Sequence, residues 1–406
     1  MNADVVIVGA GAAGLMAAIW AARTHPQRSI LLLDGARTLG AKILVAGGGR
    51  CNVTHDMVDE NAYAGAARNT LKKVLRRFDV AQTSAFFREL GVELKREDTG
   101  KLFPVTDSAR TVLDALLAAA RAANVQLLYP RRVESITRTA GGFCVSGLWG
   151  SVETPRVVLA TGGRSLPKSG SDGQGYRLAQ ALGHTLTPRI FPALVPLTLP
   201  KEHFICALSG VTVPAALEVR SATGKKLARF SDSTLCTHFG LSGPSVLDIS
   251  RYYIDAKLDD ARAQLFINWL PHKNSEQVAQ ELQQLGHTTL LRYLSGQLPE
   301  RLLRALLAAA GLEAATRGDQ LTRAARRALV QTLTALPLPV TGNRGYLYAE
   351  VTAGGVPLSE IKVETMESRV CPGLFLCGEI CDVDGRIGGY NFQWAWSSGY
   401  VAGLSV

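Results

Sequence analysis

Gly9-Ala10-Gly11-Ala12-Ala13-Gly14 and Asp34 stand at the spacing that holds the ADP half of a dinucleotide. Such a segment needs a turn tight enough for backbone amides to reach a pyrophosphate, a helix start facing it, and an acid placed for the ribose. Gly9 supplies the turn, Gly11 the bare approach, and Gly14 the close packing of helix on strand. Asp34 follows Gly14 by 20 residues. A carboxylate there accepts from both ribose hydroxyls and repels a 2′-phosphate, so FAD or NAD is expected rather than NADP. The other reactive groups are seven cysteines, at 51, 144, 206, 236, 371, 377 and 381. Their spacings match neither a zinc site nor a redox CxxC pair, so reduced thiols are expected, with no metal and no disulfide framework.

Those residues need a strand–turn–helix–strand unit, and the surrounding sequence has one. Ala3–Val8 is a short apolar, β-branched run, Leu15–Arg23 is an alanine-rich helix former, and Ser29–Leu33 reads as a second buried strand. Val157–Leu159 leads into the small-residue turn Ala160-Thr161-Gly162-Gly163, and a third strand over Gly373–Leu376 runs on to Asp382. Gly388-Gly389 then opens a final helix. Gly170–Gly175 opens a helix over Tyr176–Leu182 but lacks a preceding strand, so it reads as a loop, and no second dinucleotide domain is expected.

A chain of 406 residues, 47% apolar and 19% charged, is globular and long enough for two or three domains. Its longest apolar runs are too short to span a bilayer, and the chain enters its first strand without a basic leader, so a cytoplasmic location is expected. The formal charge of +10 reads either as solubility or as a polyanionic partner.

In this order the elements resemble the flavoproteins built on two dinucleotide-binding domains, which selects FAD. The resemblance implies that Asp382 holds the ribityl chain and that the backbone of Gly389–Asn391, at the start of the last helix, faces the flavin pyrimidine. It becomes specific at Lys42-Ile43-Leu44-Val45-Ala46-Gly47-Gly48-Gly49-Arg50-Cys51-Asn52-Val53-Thr54, which is similar to the BaiN/YhiN-type FAD-dependent oxidoreductases, a family also described as NAD(P)/FAD-dependent or aminoacetone-oxidase-like. Gly100–Pro104, Thr161–Ser165, Thr237–Pro244 and Gly389–Ala395 fit the same family, so the likeness runs from end to end. One departure is His55, where the family often carries Asn. The implied fold class is α/β: a discontinuous Rossmann-like FAD-binding domain (1–190 and 340–406), an inserted β-barrel-like subdomain (191–270) and a small helical subdomain (271–339). The cofactor-binding set expected is Gly9, Gly11, Ala12, Ala13, Gly14, Asp34, Gly35, Lys42, Gly48, Gly49, Arg50, Cys51, Thr161, Gly162, Gly163, Gly378, Glu379, Asp382, Gly389, Tyr390, Asn391 and Gln393.

Members of the family with assigned activities reduce a polarised C=C. One type converts a uridine of 23S ribosomal RNA to dihydrouridine, and another reduces an enone-like bond in bile-acid metabolism. Reducing a uracil 5,6 bond takes a hydride from flavin, donors at O4 and an acid at C5. Cys51 is the candidate acid, with the alternative that Gly47–Asn52 only wraps the isoalloxazine and the thiol fills space. Arg50 is placed to hold flavin or substrate oxygens, Asn391 and Gln393 to contact either, and His238, in a Thr-His-x-Gly loop, is a second candidate acid or a structural histidine. NAD(P)H is the implied reductant, binding transiently over the flavin. Lys72, Lys73, Arg76 and Arg77 on one helical stretch, and Arg317, Arg323, Arg326 and Arg327 with Arg301 and Arg304 nearby, form two basic groups that either track RNA phosphates or are solvated helix faces. A flavin enzyme of a small metabolite (an enone reductase or an amine oxidase) and a non-catalytic flavin-bearing redox protein stay open beside the RNA reading.

Overall fold

Val5–Val8, Ile30–Leu33, Val157–Leu159 and Leu374–Leu376 are short runs of apolar side chains buried at every position. Strands so composed must be covered on both faces, and they pair in parallel. The computed structural model describes residues 2–406. By its contacts the chain forms two units, one running to Pro192 and resuming over Glu350–Val406, the other Ala193–Ala349.

Among the described residues the first unit holds a seven-stranded sheet in the order Ile361–Lys362, Glu367–Ser368, Leu374–Leu376, Val157–Leu159, Val5–Val8, Ile30–Leu33, Gln126–Leu128. Five of these strands are parallel, and the first two add an antiparallel edge. Helices Ala12–Thr24 and Tyr390–Ser405 pack together beside the sheet. Their contact is close because Gly399 and Gly403 lie one turn apart on the second helix. A Cβ at either would come within 2.5–2.6 Å of the Ala13 or Ala17 carbonyl oxygen of the first. The two ends of the chain are thus joined at the dinucleotide motif. Gly170–Gly175 runs into the helix Gln174–Ala181, which starts within it, and the segment before it is the single turn Pro167–Ser169 rather than a strand.

The second unit is antiparallel. Its sheet, also seven-stranded among the described residues, runs Leu336–Leu338, Gln264–Asn268, Thr212–Arg220, Lys226–Thr237, Gly240–Ser242, Leu197–Thr198, Gly342–Asn343. Residues 340–349, expected with the FAD-binding domain, belong to this unit, because Gly342–Asn343 pairs with Leu197–Thr198. A helix over Pro244–Asp259, within the part expected to be β-barrel-like, packs on the long hairpin. Pro244 at its first turn supplies a preset φ, and Gly243 before it takes φ 91°, which permits the abrupt start. Helices Ser275–Gln283, Leu290–Leu294, Glu300–Ala309 and Arg323–Thr334 bury leucines at positions 282, 290, 294, 302, 303, 306, 307, 329 and 333 in one core with the sheet. Asn274, Thr289 and Thr322 cap three of them at the N-terminus.

Candidate active site

The Val5–Val8 strand ends at the glycine turn, and each glycine there has a different surrounding. A Cβ at Gly14 would overlap the Gly9 carbonyl oxygen, so helix and strand meet only because none is present. At Gly11 nothing of the protein lies within 4 Å of the missing Cβ. That open side faces the start of the Ala12–Thr24 helix, which no side chain among the described residues caps. Uncapped amides beside open space are what a pyrophosphate needs. Asp34, at the tip of the next strand, accepts from the Ala10 amide at 2.7 Å through Oδ2 and from the Ala36 amide at 2.7 Å through Oδ1. Burial pushes its carboxyl pKa up against these two bonds. Each oxygen keeps a lone pair for a ribose hydroxyl, while the backbone fixes the carboxylate's orientation. Gly35 follows, packed against Arg132.

Lys42 and Glu379, 337 residues apart, form an ion pair at 2.6 Å, and both are mostly buried. Glu379 also accepts from the Thr352 amide at 2.8 Å and lies next to Gly162 and Gly163. One carboxylate therefore gathers the Ala41–Gly49 helix, the Thr161–Gly163 turn and the Gly378–Ile380 turn. Asp382 stands half-buried just beyond, between that turn and the Val383–Gly385 strand.

The Ala41–Gly49 helix breaks at Ala46, and Gly47, Gly48 and Gly49 follow with φ of 58°, 69° and 88°. Gly48 has open space where its Cβ would be. Arg50 interrupts this left-handed run at φ −95°, and Cys51 returns to it at φ 61°, with its side chain in the core, where it has no exposed surface. Desolvation drives the thiol up to about 12. Cys51, expected as the proton donor, is thus a core side chain in this structure. Arg50, expected to hold flavin or substrate oxygens, is engaged by the protein itself. Its guanidinium is held by Glu97 at 2.6 Å, lies 3.6 Å from Asp107, and stacks 4.0 Å from the Phe103 ring centre. It ties the loop to the Leu94–Arg96 and Lys101–Pro104 hairpin instead of reaching for an oxygen.

At the other end of the site Gly389, at φ 99°, precedes the Tyr390–Ser405 helix as its N-cap and, being glycine, supplies no side-chain cap. A Cβ there would fall 2.5 Å from the Thr54 carbonyl carbon, so the helix start and the Lys42–Thr54 segment press together. Asn391 and Gln393, expected to contact flavin or substrate, are internal braces. Asn391 Nδ2 donates to the Gly385 carbonyl at 2.9 Å and its Oδ1 accepts from the Gly385 amide at 2.8 Å. Gln393, 1% exposed, accepts from Thr54 at 2.7 Å and Thr83 at 3.0 Å and donates to the Phe78 carbonyl at 2.8 Å. The Tyr390 carbonyl accepts from the Tyr63 hydroxyl at 2.7 Å, and the Tyr390 ring stacks on His55 at 5.0 Å. Tyr390 is thereby fixed by two neighbours, one of them the departure noted above.

His238 belongs to the second unit, exposed at the turn between Lys226–Thr237 and Gly240–Ser242. It meets Phe239 edge-on, and Arg344 stacks on both Phe239 at 4.4 Å and Tyr348 at 3.9 Å. Arg344 and Tyr348 gave no sequence signal, because only the fold brings residue 344 to residue 239. The basic groups prove partly neutralised. Lys72 pairs with Glu60 at 3.0 Å and Lys73 with Glu364 at 3.3 Å. The helix ends at Leu75, so Arg76 and Arg77 lie past it. Arg326 turns inward to the Leu321 carbonyl at 3.3 Å, Arg317 pairs with Asp319 and Arg304 with Glu300. Arg323 and Arg327 are exposed on their helix. No cluster of three metal-ligating side chains occurs among the described residues, and no helix among them is long and apolar enough to cross a membrane.

Open glycine faces at 11 and 48, the half-buried acid at 34 and two helix starts with glycine N-caps fit the phosphates, ribose and ring system of FAD. A parallel sheet carrying this site, with an antiparallel unit inserted between its parts, defines an FAD-dependent oxidoreductase. The chain belongs to the family described as the HI0933-like protein Rossmann domain, which matches residues 3–405. It is 35% identical over 405 residues to the 3-dehydro-bile acid delta(4,6)-reductase of Clostridium scindens, covering 98% of each chain. It is also 35% identical over 402 residues to the ribosomal RNA dihydrouridine synthase of Escherichia coli, covering 98% of this chain and 96% of that one. In fold it resembles FrdA of E. coli quinol fumarate reductase, with a TM-score of 0.54 at 17% identity over 100% of this chain and 69% of that one.

Proposed function

We propose that the chain reduces the 5,6 double bond of a uridine in 23S rRNA to dihydrouridine, with NAD(P)H as the ultimate reductant. The observation that carries this reading is the end-to-end similarity, at 35% identity, to a ribosomal RNA dihydrouridine synthase, in a chain whose own charge is +10. When bound, FAD supplies the hydride for the electron-poor carbon of the double bond. The protein's part is to hold and to polarise. The Gly9–Gly14 turn and Asp34 fix the ADP end, and the Lys42–Glu379 pair keeps the glycine loop and the C-terminal turn in one arrangement. The positive end of the Tyr390–Ser405 helix stabilises negative charge next to it. His238 is our candidate for the acid at C5, on its residue type. The reaction takes place where ribosomes are made, in the cytoplasm.

A second reading, reduction of a conjugated C=C in a small molecule, draws on the equal similarity to the bile-acid reductase. Both need the same hydride and differ in what fills the substrate side. Deleting the gene and mapping dihydrouridine in the large-subunit RNA separates them. The modification is expected to vanish and to return with the wild-type gene or with Cys51→Ala, but not with His238→Ala. RNA modified as before in the deletion strain sinks the proposal, and full rescue by His238→Ala removes that residue from the mechanism.

A further inference from the structure

In the second unit, strand Thr212–Arg220 is flanked by Gln264–Asn268 on one side and Lys226–Thr237 on the other. Opposed residues of adjacent strands share a face, so the register Arg229–Glu218–Phe266 sets three side chains in one row across the sheet. That row, with Arg220, Asn268 and Lys273, lines a cleft of about 340 Å³. At its centre the Arg220 guanidinium lies over the Phe266 ring, 4.4 Å from the ring centre. Glu218 does not repel an anion here. Arg220 holds it at 2.6 Å and Lys226 at 3.2 Å, and these partners keep its carboxyl below the usual range in spite of burial. Arg229 is exposed, its one side-chain hydrogen bond a long 3.5 Å contact to the Pro271 carbonyl, and Lys273 pairs at 2.7 Å with Glu281 outside the cleft. Neither of the basic groups read from the sequence includes these residues.

An aromatic–guanidinium stack in a cleft on the sheet, bordered by cations, has the parts that single-stranded nucleic acid uses: planes for bases and charges for phosphates. We propose that this sheet face binds single-stranded RNA, with the Arg220–Phe266 stack as base platform and Arg229 and Lys273 on the phosphates. The inference rests on the RNA reading of the activity and names where the substrate strand is held. An acidic peptide would use the cations but leave the stack without a role.

The test uses the FAD-loaded protein and a fluorescein-labelled single-stranded RNA copied from 23S rRNA, read by anisotropy across a salt series. Arg229→Ala with Lys273→Ala is expected to weaken binding about tenfold and, by losing two phosphate contacts, to flatten the log–log salt slope by about 1.4. Flavin absorbance and Tm should not change. Arg220→Ala is expected to weaken binding with the salt slope changed less. If the wild type binds RNA and the double variant binds it equally well, this site is wrong while the RNA reading stands. If the wild type binds no RNA, both fall together. Displacement of the RNA by NADPH, lost in the double variant, would give the cleft to a free nucleotide and overturn the proposal. Should the double variant lose its secondary structure, Arg229→Glu at the exposed position decides the same question.

Discussion

Gly11 and Gly14 differ by three positions in one motif, yet their surroundings separate cofactor contact from packing. Gly11 has φ −80° and ψ −168°, a conformation any residue adopts, and nothing of the protein within 4 Å of a Cβ. Gly11→Ala should therefore lower the stability of the cofactor-free protein by only about 0.5 kcal/mol, through a poorer helix N-cap, or roughly 1–2 °C in Tm. The new methyl instead enters the space offered to the pyrophosphate. Overpacking of this kind costs about 1–3 kcal/mol, which weakens FAD binding about 5- to 150-fold. Gly14→Ala puts its methyl inside the Gly9 carbonyl. Helix and strand must part, at a similar about 1–3 kcal/mol, and the cofactor-free protein should melt about 2–12 °C lower. Thermal melts of deflavinated protein and FAD titration by quenching of flavin fluorescence read the two effects separately. Unchanged FAD affinity in Gly11→Ala would refute the assignment of that open face to the pyrophosphate. An unchanged melt in Gly14→Ala would refute the packing argument.

Gln393→Leu should destabilise by about 2–4 kcal/mol, because it strands the Thr54 and Thr83 hydroxyls in the core and leaves the Phe78 carbonyl with Ser397 as its donor, and urea unfolding checks it. Native protein treated with iodoacetamide at mild alkaline pH should be labelled at Cys144, the half-exposed cysteine, and spared at Cys51, which peptide mass mapping reads directly. The thiols of Cys51, Cys236 and Cys377 are all pushed by burial from an ordinary 9.0 to about 12. The folded protein thus holds protons that the unfolded chain has released, so the contribution is complete below pH 9 and is lost as pH rises toward 12. Unfolding free energy measured over that window should fall, and a flat profile would contradict the burial of these groups.

The nucleotide end was legible because its signals are local. Turn, helix start and acid lie within one strand–helix–strand unit, and their order alone defines the geometry. The helical stretch after residue 275 was legible from its 3.6-residue spacing of leucines. The Pro244–Asp259 helix escaped because its buried face includes Ser245, Asp248 and Ser250, which blur the apolar period. The return of Gly342–Asn343 to the inserted sheet escaped because a two-residue strand has no period at all.

What the sequence left illegible at the site has one cause. Arg50, Cys51 and Gln393 were assigned chemistry from their type and from polar neighbours in the chain, while their real surroundings come from far along it. Glu97 and Asp107 claim Arg50, Thr83 and Phe78 claim Gln393, and a left-handed φ that a spacing rule does not foresee turns Cys51 inward. These residues still matter to the cofactor, at one remove. Each fastens a segment bearing an open glycine or an uncapped helix start, and those segments hold their shape because no reactive side chain in them is left loose. An oxidoreductase that leaves bond making to a bound flavin has little use for a reactive thiol beside it, and much use for a backbone that does not move.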